Sequence, residues 1–192
     1  LTEALKERVF WYIAFGHGAS AMLTSTMMVH LILAFKHQGI SLPTAALIWG
    51  IAMGIGGVSQ IFGGILGDRT PKHIAACIFG CIQAIGVAIA VFVTNIWLAL
   101  LFSAIYGIGF GARAPITTSM RGDYFGRKAF GKIMGVSAMS MMLLTMIGPI
   151  IAGRLFDLQG DYKNGFLILA LAGFAGSLIF LLARKPTPPE KV

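Results

Sequence analysis

Two stripes of polar and aromatic side chains recur at helical spacing inside long apolar stretches. Residues three or four positions apart lie on one face of an α-helix, so the members of each stripe share a face. The first stripe is His17, Ser20 and Thr24, and the second is Tyr106, Phe110 and Arg113. Arg113 has the strongest binding chemistry, because its planar guanidinium offers a forked pair of donors that matches a carboxylate. The stripes are therefore candidate binding residues for an organic anion.

The composition indicates that lipid surrounds most of the chain. Hydrophobic residues make up 57% of the 192 residues and charged residues only 11%, whereas a soluble domain carries about 25% charged residues. The mean hydropathy is +0.83, and one core cannot hide this much apolar surface. The formal net charge of +8 does not indicate a nucleic-acid partner, because the basic residues are scattered between apolar stretches and form no face.

Six apolar stretches are long enough to cross a bilayer, which takes about 20 residues of helix. They are Val9–Phe35, Pro43–Gly67, Ile74–Val93, Ile96–Ser119, Ile133–Phe156 and Phe166–Ala183. The sequence thus predicts an all-α polytopic membrane protein. Its expected parts are a lead-in at residues 1–8, a six-helix transmembrane bundle at 9–183 and a disordered, proline-rich tail at 184–192.

The basic residues fall mostly on one side of the predicted spans. Cytoplasmic loops are enriched in lysine and arginine, so the richer side is predicted to be cytoplasmic. That side carries Lys6, Arg8, Arg69, Lys72, Arg121, Arg127, Lys128, Lys132, Arg184, Lys185 and Lys191, and the other carries Lys36, Arg154 and Lys163. Both termini are therefore expected in the cytoplasm, with the bundle in the plasma or inner membrane.

No catalytic or metal-binding group of residues occurs at the predicted membrane depth. All acidic residues lie in predicted loops or tails, and the sequence contains neither a G-x-S-x-G nor an H-E-x-x-H motif. Cys77 and Cys81 are interpreted as small side chains buried in an apolar span. We therefore expect no enzymatic activity, no cofactor and no metal. A transporter for a small solute and a channel-like or scaffolding bundle are the alternatives.

A charged segment, GGILGDRTPKH at residues 63–73, separates the second and third spans. Its lysine and histidine fit anchoring at the membrane surface, but its acid does not. Asp68 is expected to face the positive N-terminus of the fifth span or to pair with Arg121. We hypothesise that this region controls a cytoplasmic gate. The gate residues of this hypothesis are Gly64, Asp68, Arg69, Lys72 and Arg121.

Several stretches, in order along nearly the whole chain, resemble the major facilitator superfamily. The charged segment is similar to the family loop G-x-L-a-D-r-x-G-r-k, from which Pro71 and His73 depart. The stretch YGIGFGARAPITTSMRGDYFGRKAFGKIMG resembles the pattern G-x-G-x-G…P…dyFGrr…G of monocarboxylate-porter-like and oxalate/formate-antiporter-like members. The matching loop residues are Gly64, Leu66, Gly67, Asp68, Arg69 and Lys72. The order of these stretches resembles the C-terminal six-helix half of a twelve-helix transporter.

The resemblance implies a fold, a mechanism and partners. Each half of such a transporter consists of two three-helix units in inverted topology, and the halves rock around a central cavity to give alternating access. The resemblance places the first and fourth spans at that cavity, which makes both stripes substrate-binding residues. The implied partners are a small-molecule substrate, the lipid bilayer and an N-terminal six-helix half, in the same chain or a second subunit. The expected substrate is an organic anion such as a monocarboxylate.

Glycines and a proline predict helix contacts and a bend. Gly50 and Gly54 in the second span, like Gly107 and Gly111 in the fourth, stand in small-xxx-small arrangements that allow close helix packing. The pair Gly148–Pro149 is expected to bend the fifth span, because proline removes a backbone donor inside a helix.

Overall fold

The computed structural model describes residues 2–126 and 130–185 as a bundle of α-helices. Six helices of this part are long and apolar enough to cross a membrane, which confirms the predicted all-α class. They are α2 (Arg8–His37), α3 (Leu42–Arg69), α4 (Lys72–Val91), α5 (Ile96–Phe125), α6 (Phe130–Gln159) and α7 (Lys163–Leu178), whose span reaches Leu182. A short helix, α1 (Thr2–Lys6), precedes them, and a 3₁₀ helix (Ile179–Leu182) extends the last one.

The helix ends follow from local sequence. Asn95 caps the N-terminus of α5, because its side-chain oxygen accepts a hydrogen bond from the backbone N–H of Leu98 at 3.0 Å. Ser41 caps α3 in the same way, by accepting from the backbone N–H of Thr44. Gly126 follows the last residue of α5 with φ at +80°, a conformation that glycine adopts without strain.

The predicted spans agree with the helices except at the end of α5. The predicted fourth span ends at Ser119, whereas α5 continues through Gly122 to Phe125 and ends before Gly126, whose φ is +80°. Arg121 consequently lies inside a helix and is only 1% exposed, so the prediction that it follows the fourth span was wrong. Three other basic residues assigned to that side, Arg127, Lys128 and Lys191, lie outside the described residues. Residues 186–192 of the predicted tail lie outside them as well.

The packing pattern relates the first three spans to the last three. α2 packs chiefly on α6 and α7, while α5 packs chiefly on α3 and α4. The first helix of each three-helix unit thus contacts the second helix of the other unit, and the third helices, α4 and α7, contact each other. Since successive spans alternate in direction, the two units run in opposite directions. This is the arrangement expected of inverted three-helix repeats.

Glycines bring α5 close to the backbone of α3. A Cβ built on Gly111 would collide with the backbone of Gly56, and one built on Gly107 would also collide with α3. A Cβ built on Gly50 or Gly54 would have nothing within 4 Å. Close packing is therefore confirmed for the glycine pair of α5. The pair of α3 makes no close contact within the described residues, so packing there stays a prediction.

The helices α3 and α6 are the least buried spans. In their most apolar stretches 28% and 18% of the residues are buried, against 44% to 56% in the other four spans. Their outward faces carry large apolar side chains, including Ile61 and Phe62 of α3 and Met139, Met142 and Leu143 of α6. Lipid or another protein segment must cover these faces, because water would not solvate them favourably.

Candidate functional site

Arg113 lies inside the bundle. Its side chain is 2% exposed and passes beside Gly80 of α4, where a built Cβ would lie 3.7 Å from Arg113 Cδ. The Nε and Nη1 atoms of Arg113 are buried and have no hydrogen-bond partner among the residues that the structure describes. A buried guanidinium with two unused donors is destabilising unless an acceptor reaches it. Arg113 is thus suited to bind an anion that enters the bundle.

A second arginine, Arg121, joins three helices. Its Nε and Nη2 atoms donate to Ser137 Oγ of α6 at 3.1 and 2.7 Å, and Nη1 donates to the backbone oxygen of Thr117 at 2.9 Å. Nη1 also lies 3.1 Å from Nδ1 of His17 in α2. Because a guanidinium can only donate, His17 Nδ1 must accept. The ring of His17 is therefore neutral, with its proton on Nε2.

The three side chains His17, Arg113 and Arg121 form what we call the cationic cluster. Arg121 lies 3.1 Å from the His17 ring, and Arg113 lies about two turns before Arg121 in α5. The ion pairs formed by the described side chains both involve Lys72, so neither arginine is neutralised by a described carboxylate. In a low-dielectric interior such a cluster attracts an anion strongly. Its positive charge is the main electrostatic feature of the site.

A polar group contributed by α2 and α4 borders the cationic cluster. Gln83 Nε2 donates to the backbone oxygen of Ser20 at 3.3 Å and to Thr24 Oγ1 at 3.0 Å. Gln83 is fully buried and is not among the residues predicted from the sequence. The signal that could have identified it is a single amide in the middle of a 20-residue apolar helix, since a polar group at that depth needs a partner.

Tyr106 and Phe110 form an aromatic wall beside these polar groups. Their rings stack with centroids 6.1 Å apart and planes inclined by 10°, and Trp49 of α3 packs on Tyr106 at 5.6 Å. The Tyr106 hydroxyl lies beside Thr24 and Gln83 but makes no hydrogen bond of acceptable geometry to them. The wall therefore offers an apolar surface and one hydroxyl that lies close to the amide of Gln83.

The structure brings the two predicted stripes together, largely within the bundle. Ser20, Tyr106 and Arg113 are buried, while His17, Thr24 and Phe110 are half-buried. The half-buried members mark the place where this group meets the surface of the described bundle. The stripes thus form one site at the contact of α2, α4 and α5.

The charged segment between α3 and α4 is organised around Lys72. Lys72 Nζ lies 3.7 Å from Asp68 Oδ1 and pairs more closely with Asp123 near the end of α5. Asp68 is mostly exposed, with 79% of its side chain accessible. The expected pair between Asp68 and Arg121 is not formed, because the Arg121 guanidinium is bonded inside the bundle to Ser137 and His17.

The other predicted motif residues lie at the bundle surface and in α6. Gly64 would have nothing within 4 Å of a built Cβ, and Arg69 is the exposed last residue of α3. Pro149 lies inside the continuous helix α6. Gly148 marks a close approach to α2, since a built Cβ would lie 2.6 Å from Met22 Cγ. The bend at Gly148–Pro149 stays a prediction.

An open groove of about 680 Å³ lies on a different face of α5, between α3 and α6. Pockets of about 300–1,000 Å³ are typical of small-molecule sites. Its lining residues are Gln60, Ala114, Pro115, Thr118, Ser119, Gly122, Asp123 and Phe130. The sequence does not reveal this groove, because helices far apart in the chain form its walls.

Comparisons with known proteins match nearly the whole chain. The family model described as Major Facilitator Superfamily matches residues 10–192. Monocarboxylate transporter 11 of Mus musculus is 26% identical over 185 residues, covering 92% of this chain and 41% of that protein. The hexuronate transporter of Escherichia coli (strain K12) is 24% identical over 196 residues, covering 96% of this chain and 45% of its own length.

Solved structures share the fold at low sequence identity. The Escherichia coli fucose:proton symporter superimposes with a TM-score of 0.81 and 15% identity, over 97% of this chain and 45% of that one. The peptide transporter POT gives a TM-score of 0.76 and 22% identity, over 92% and 38%. The chain spans less than half the length of these curated relatives and structures. It belongs to the Major Facilitator Superfamily, as an integral membrane protein with the fold of one six-helix half of the family's twelve-helix transporters.

Proposed function

We propose that this chain forms half of a secondary active transporter that carries a small organic anion, such as a monocarboxylate, by alternating access. The observation that carries the proposal is the cationic cluster, in which two buried guanidiniums flank His17 without a described carboxylate partner. A buried charge without a partner is destabilising by several kcal/mol. A substrate carboxylate would supply the missing charge and the acceptors for Arg113.

The names of two relatives agree with an anionic substrate. A monocarboxylate transporter and a hexuronate transporter are both named for carboxylates. Of the cluster, Arg113 is the residue proposed to contact the substrate, because its Nε and Nη1 donors are unused. Tyr106 and Phe110 are proposed as the wall of the site, and His17, Ser20 and Thr24 as its side on α2. Arg121 is proposed to position His17.

The proposed partner of the bundle is a second six-helix half. It would cover the outward faces of α3 and α6, which are the least buried spans. Rocking of one half against the other would expose the site to each side of the membrane in turn. The bend proposed at Gly148–Pro149 would let α6 follow this motion.

We further propose that the ends of α3 and α5 lie at the cytoplasmic side of the cell membrane, with both termini. The basic residues at this end of the bundle, such as Arg8, Lys132 and Lys185, support the orientation. Under this proposal Gly64, Asp68, Arg69 and Lys72 belong to a cytoplasmic gate. The exposed carboxylate of Asp68 is then free to bind a charged or helix-terminal group of the other half.

Transport in proteoliposomes that contain this chain together with its second six-helix half tests the function. Uptake of a radiolabelled monocarboxylate should saturate with concentration, and vesicles preloaded with the same anion should take it up faster. Flux that rises linearly with concentration and ignores preloading would identify a channel-like bundle and contradict a carrier. No flux together with no binding of any organic anion would leave a scaffolding bundle as the correct function.

Arginine variants test the site. Arg113→Gln should abolish anion binding and Arg113→Lys should weaken it, because lysine retains the charge but loses the fork. Losing one partner of a buried charge pair costs about 2–5 kcal/mol of binding energy. Arg154→Gln is the matched control, since it removes the same charge from an exposed position of α6. If folded Arg113→Gln binds the anion as tightly as the parent protein does, the role of Arg113 is structural.

A further inference from the structure

Four neighbouring side chains of the site carry buried polar atoms with no hydrogen-bond partner in residues 2–126 and 130–185. They are Ser20 Oγ, Gln83 Oε1, the Tyr106 hydroxyl, and Nε and Nη1 of Arg113. The four are neighbours: Gln83 bonds to the backbone of Ser20, and one turn away on either side of Gln83 in α4, Gly86 packs on Tyr106 and Gly80 on Arg113. Buried polar atoms in proteins almost always have a partner, so a group of such atoms in one place indicates a ligand.

The unused atoms differ in what they require. The guanidinium of Arg113 can only donate, and the hydroxyls of Ser20 and Tyr106 can donate, so a carboxylate would satisfy all three. Gln83 Oε1 can only accept. A carboxylate has no proton to offer it, so a simple fatty acid would leave this oxygen unpaired. A substrate with an O–H group near its carboxylate would satisfy both kinds of atom.

We propose that Gln83 of α4 selects the substrate, by accepting a hydrogen bond from a hydroxyl group next to the carboxylate that Arg113 binds. The preferred substrate is then a hydroxylated carboxylic acid. This inference rests on the proposed transport of organic anions. It adds a third helix to the site, since the predicted stripes belong to α2 and α5.

Two glycines hold the selecting residues in place. A Cβ built on Gly109 of α5 would collide with the backbone N of Gln83, and a Cβ built on Gly86 of α4 would lie 2.7 Å from Tyr106 Cα. The backbones of α4 and α5 therefore touch where Gln83 and Tyr106 emerge. The Nε2 end of the Gln83 amide is further held by Thr24 at 3.0 Å. Such preorganisation lowers the entropic cost of reading a single hydroxyl.

The test compares two ligands that differ by one hydroxyl group, 2-hydroxybutyrate and butyrate. Their dissociation constants are measured calorimetrically on the purified protein, each enantiomer of the hydroxy acid separately. The preferred enantiomer should bind about tenfold more tightly than butyrate, the worth of one well-placed hydrogen bond in a buried site. Gln83→Leu should remove this ratio, so that in this variant the hydroxy acid binds no more tightly than butyrate.

A control variant, Gln38→Leu, shows whether the loss of any buried amide, and not of Gln83 in particular, changes the affinity ratio. Gln38 also has a buried Oε1 without a described partner, but its amide bonds to the backbone of Ala90 near the C-terminal end of α4, about two turns from Gln83. Gln38→Leu should therefore leave the ratio unchanged. Loss of the ratio in this variant would overturn the assignment to Gln83.

The outcomes distinguish this inference from the function on which it rests. If both ligands bind the parent protein equally, Gln83 does not recognise a hydroxyl group of the substrate. In that case the Tyr106 hydroxyl rotates and donates to Gln83 Oε1. The proposal of an anion transporter is not affected by this outcome. If neither ligand nor any other organic anion binds, the proposed function itself fails. Because the ligand pair is measured on the parent protein, misfolding of Gln83→Leu would leave the main comparison decisive.

Discussion

Ser25 of α2 donates a hydrogen bond from Oγ to the backbone oxygen of Thr145 in α6, at 2.8 Å. Thr145 precedes Pro149 by four residues, and proline has no N–H to bond that oxygen within the helix. A side chain of the neighbouring helix thus replaces the missing intrahelical donor. His30 of α2 reinforces the contact, because its Nε2 lies 3.0 Å from the backbone oxygen of Pro149.

Ser25→Ala should lower the free energy of unfolding by about 1–3 kcal/mol, because it leaves the Thr145 oxygen unpaired. Thermal unfolding in detergent, followed with a thiol-reactive dye at buried Cys77, measures the change. Thr118→Ala is the control, since this exposed hydroxyl bonds only to Ala114 in its own helix. Equal effects of the two substitutions would show that the contact across the helices contributes nothing.

Gly111→Ala should destabilise the bundle by about 1–3 kcal/mol or more, because its Cβ would collide with the backbone of Gly56 and push α5 away from α3. Gly54→Ala is the matched control. A Cβ there meets nothing within 4 Å, and alanine favours the helix by about 0.5–1 kcal/mol. A melting temperature of Gly111→Ala at or above that of the parent would show that α3 and α5 are further apart than described.

His17→Asn should preserve substrate affinity better than His17→Leu. The asparagine oxygen can take the position of Nδ1 and accept from Arg121, whereas leucine leaves the Nη1 donor without its side-chain acceptor. Anion affinity and melting temperature should both fall further for leucine than for asparagine. The opposite ranking would mean that His17 serves the site through Nε2 and not through Arg121.

Asp123→Asn should lower the melting temperature more than Asp68→Asn. Both acids pair with Lys72, but Asp68 is 79% and Asp123 46% exposed, and exposed pairs contribute only about 0–1 kcal/mol.

The proposed gate makes the reverse prediction for transport, in which Asp68→Asn slows the rate and favours the inward-open state while the protein stays folded. Unchanged transport by Asp68→Asn would return this acid to the role of a solvated surface residue.

Cysteines at Arg69 and Lys163 should react with a membrane-impermeant thiol reagent from opposite sides of the membrane, in protein carrying Cys77→Ala and Cys81→Ala. Both positions are exposed, and three spans separate them. Under the proposed orientation Arg69→Cys reacts only from the cytoplasm and Lys163→Cys only from outside. Labelling of both from one side would contradict the six-span arrangement, and exchanged sides would reverse the orientation.

The spans were predictable because length and hydropathy alone determine them. Apolar runs of about 20 residues have few alternatives to a transmembrane helix, so errors occur at the ends. At the end of α5, Arg121 and Asp123 resemble loop residues in sequence, yet they continue the helix up to Gly126. Their partners, Ser137 in α6 and Lys72 in α4, are remote in the chain and cannot be read from local pattern.

The arrangement of the candidate site was predictable in part, through helical spacing. The stripes of α2 and α5 do converge, because each lies on one face of its helix. Gln83 was not predicted, because a single amide forms no stripe. Its place in the candidate site depends on hydrogen bonds to Ser20 and Thr24 of another helix. The small-residue pattern predicted contact equally for both glycine pairs, whereas only the partner helix decides that Gly111 packs closely within the described residues and Gly54 does not.

The exchange of contacts between the two three-helix units has a consequence for biosynthesis. α2 packs mainly on α6, and α3 mainly on α5, so the first three spans leave the ribosome before the helices that cover them exist. During that interval the buried polar groups of Ser20 and Gln83 have no α5 beside them. We expect the nascent bundle to close late, once α5 and α6 have entered the membrane. Until then, membrane chaperones and proteases have access to its polar interior.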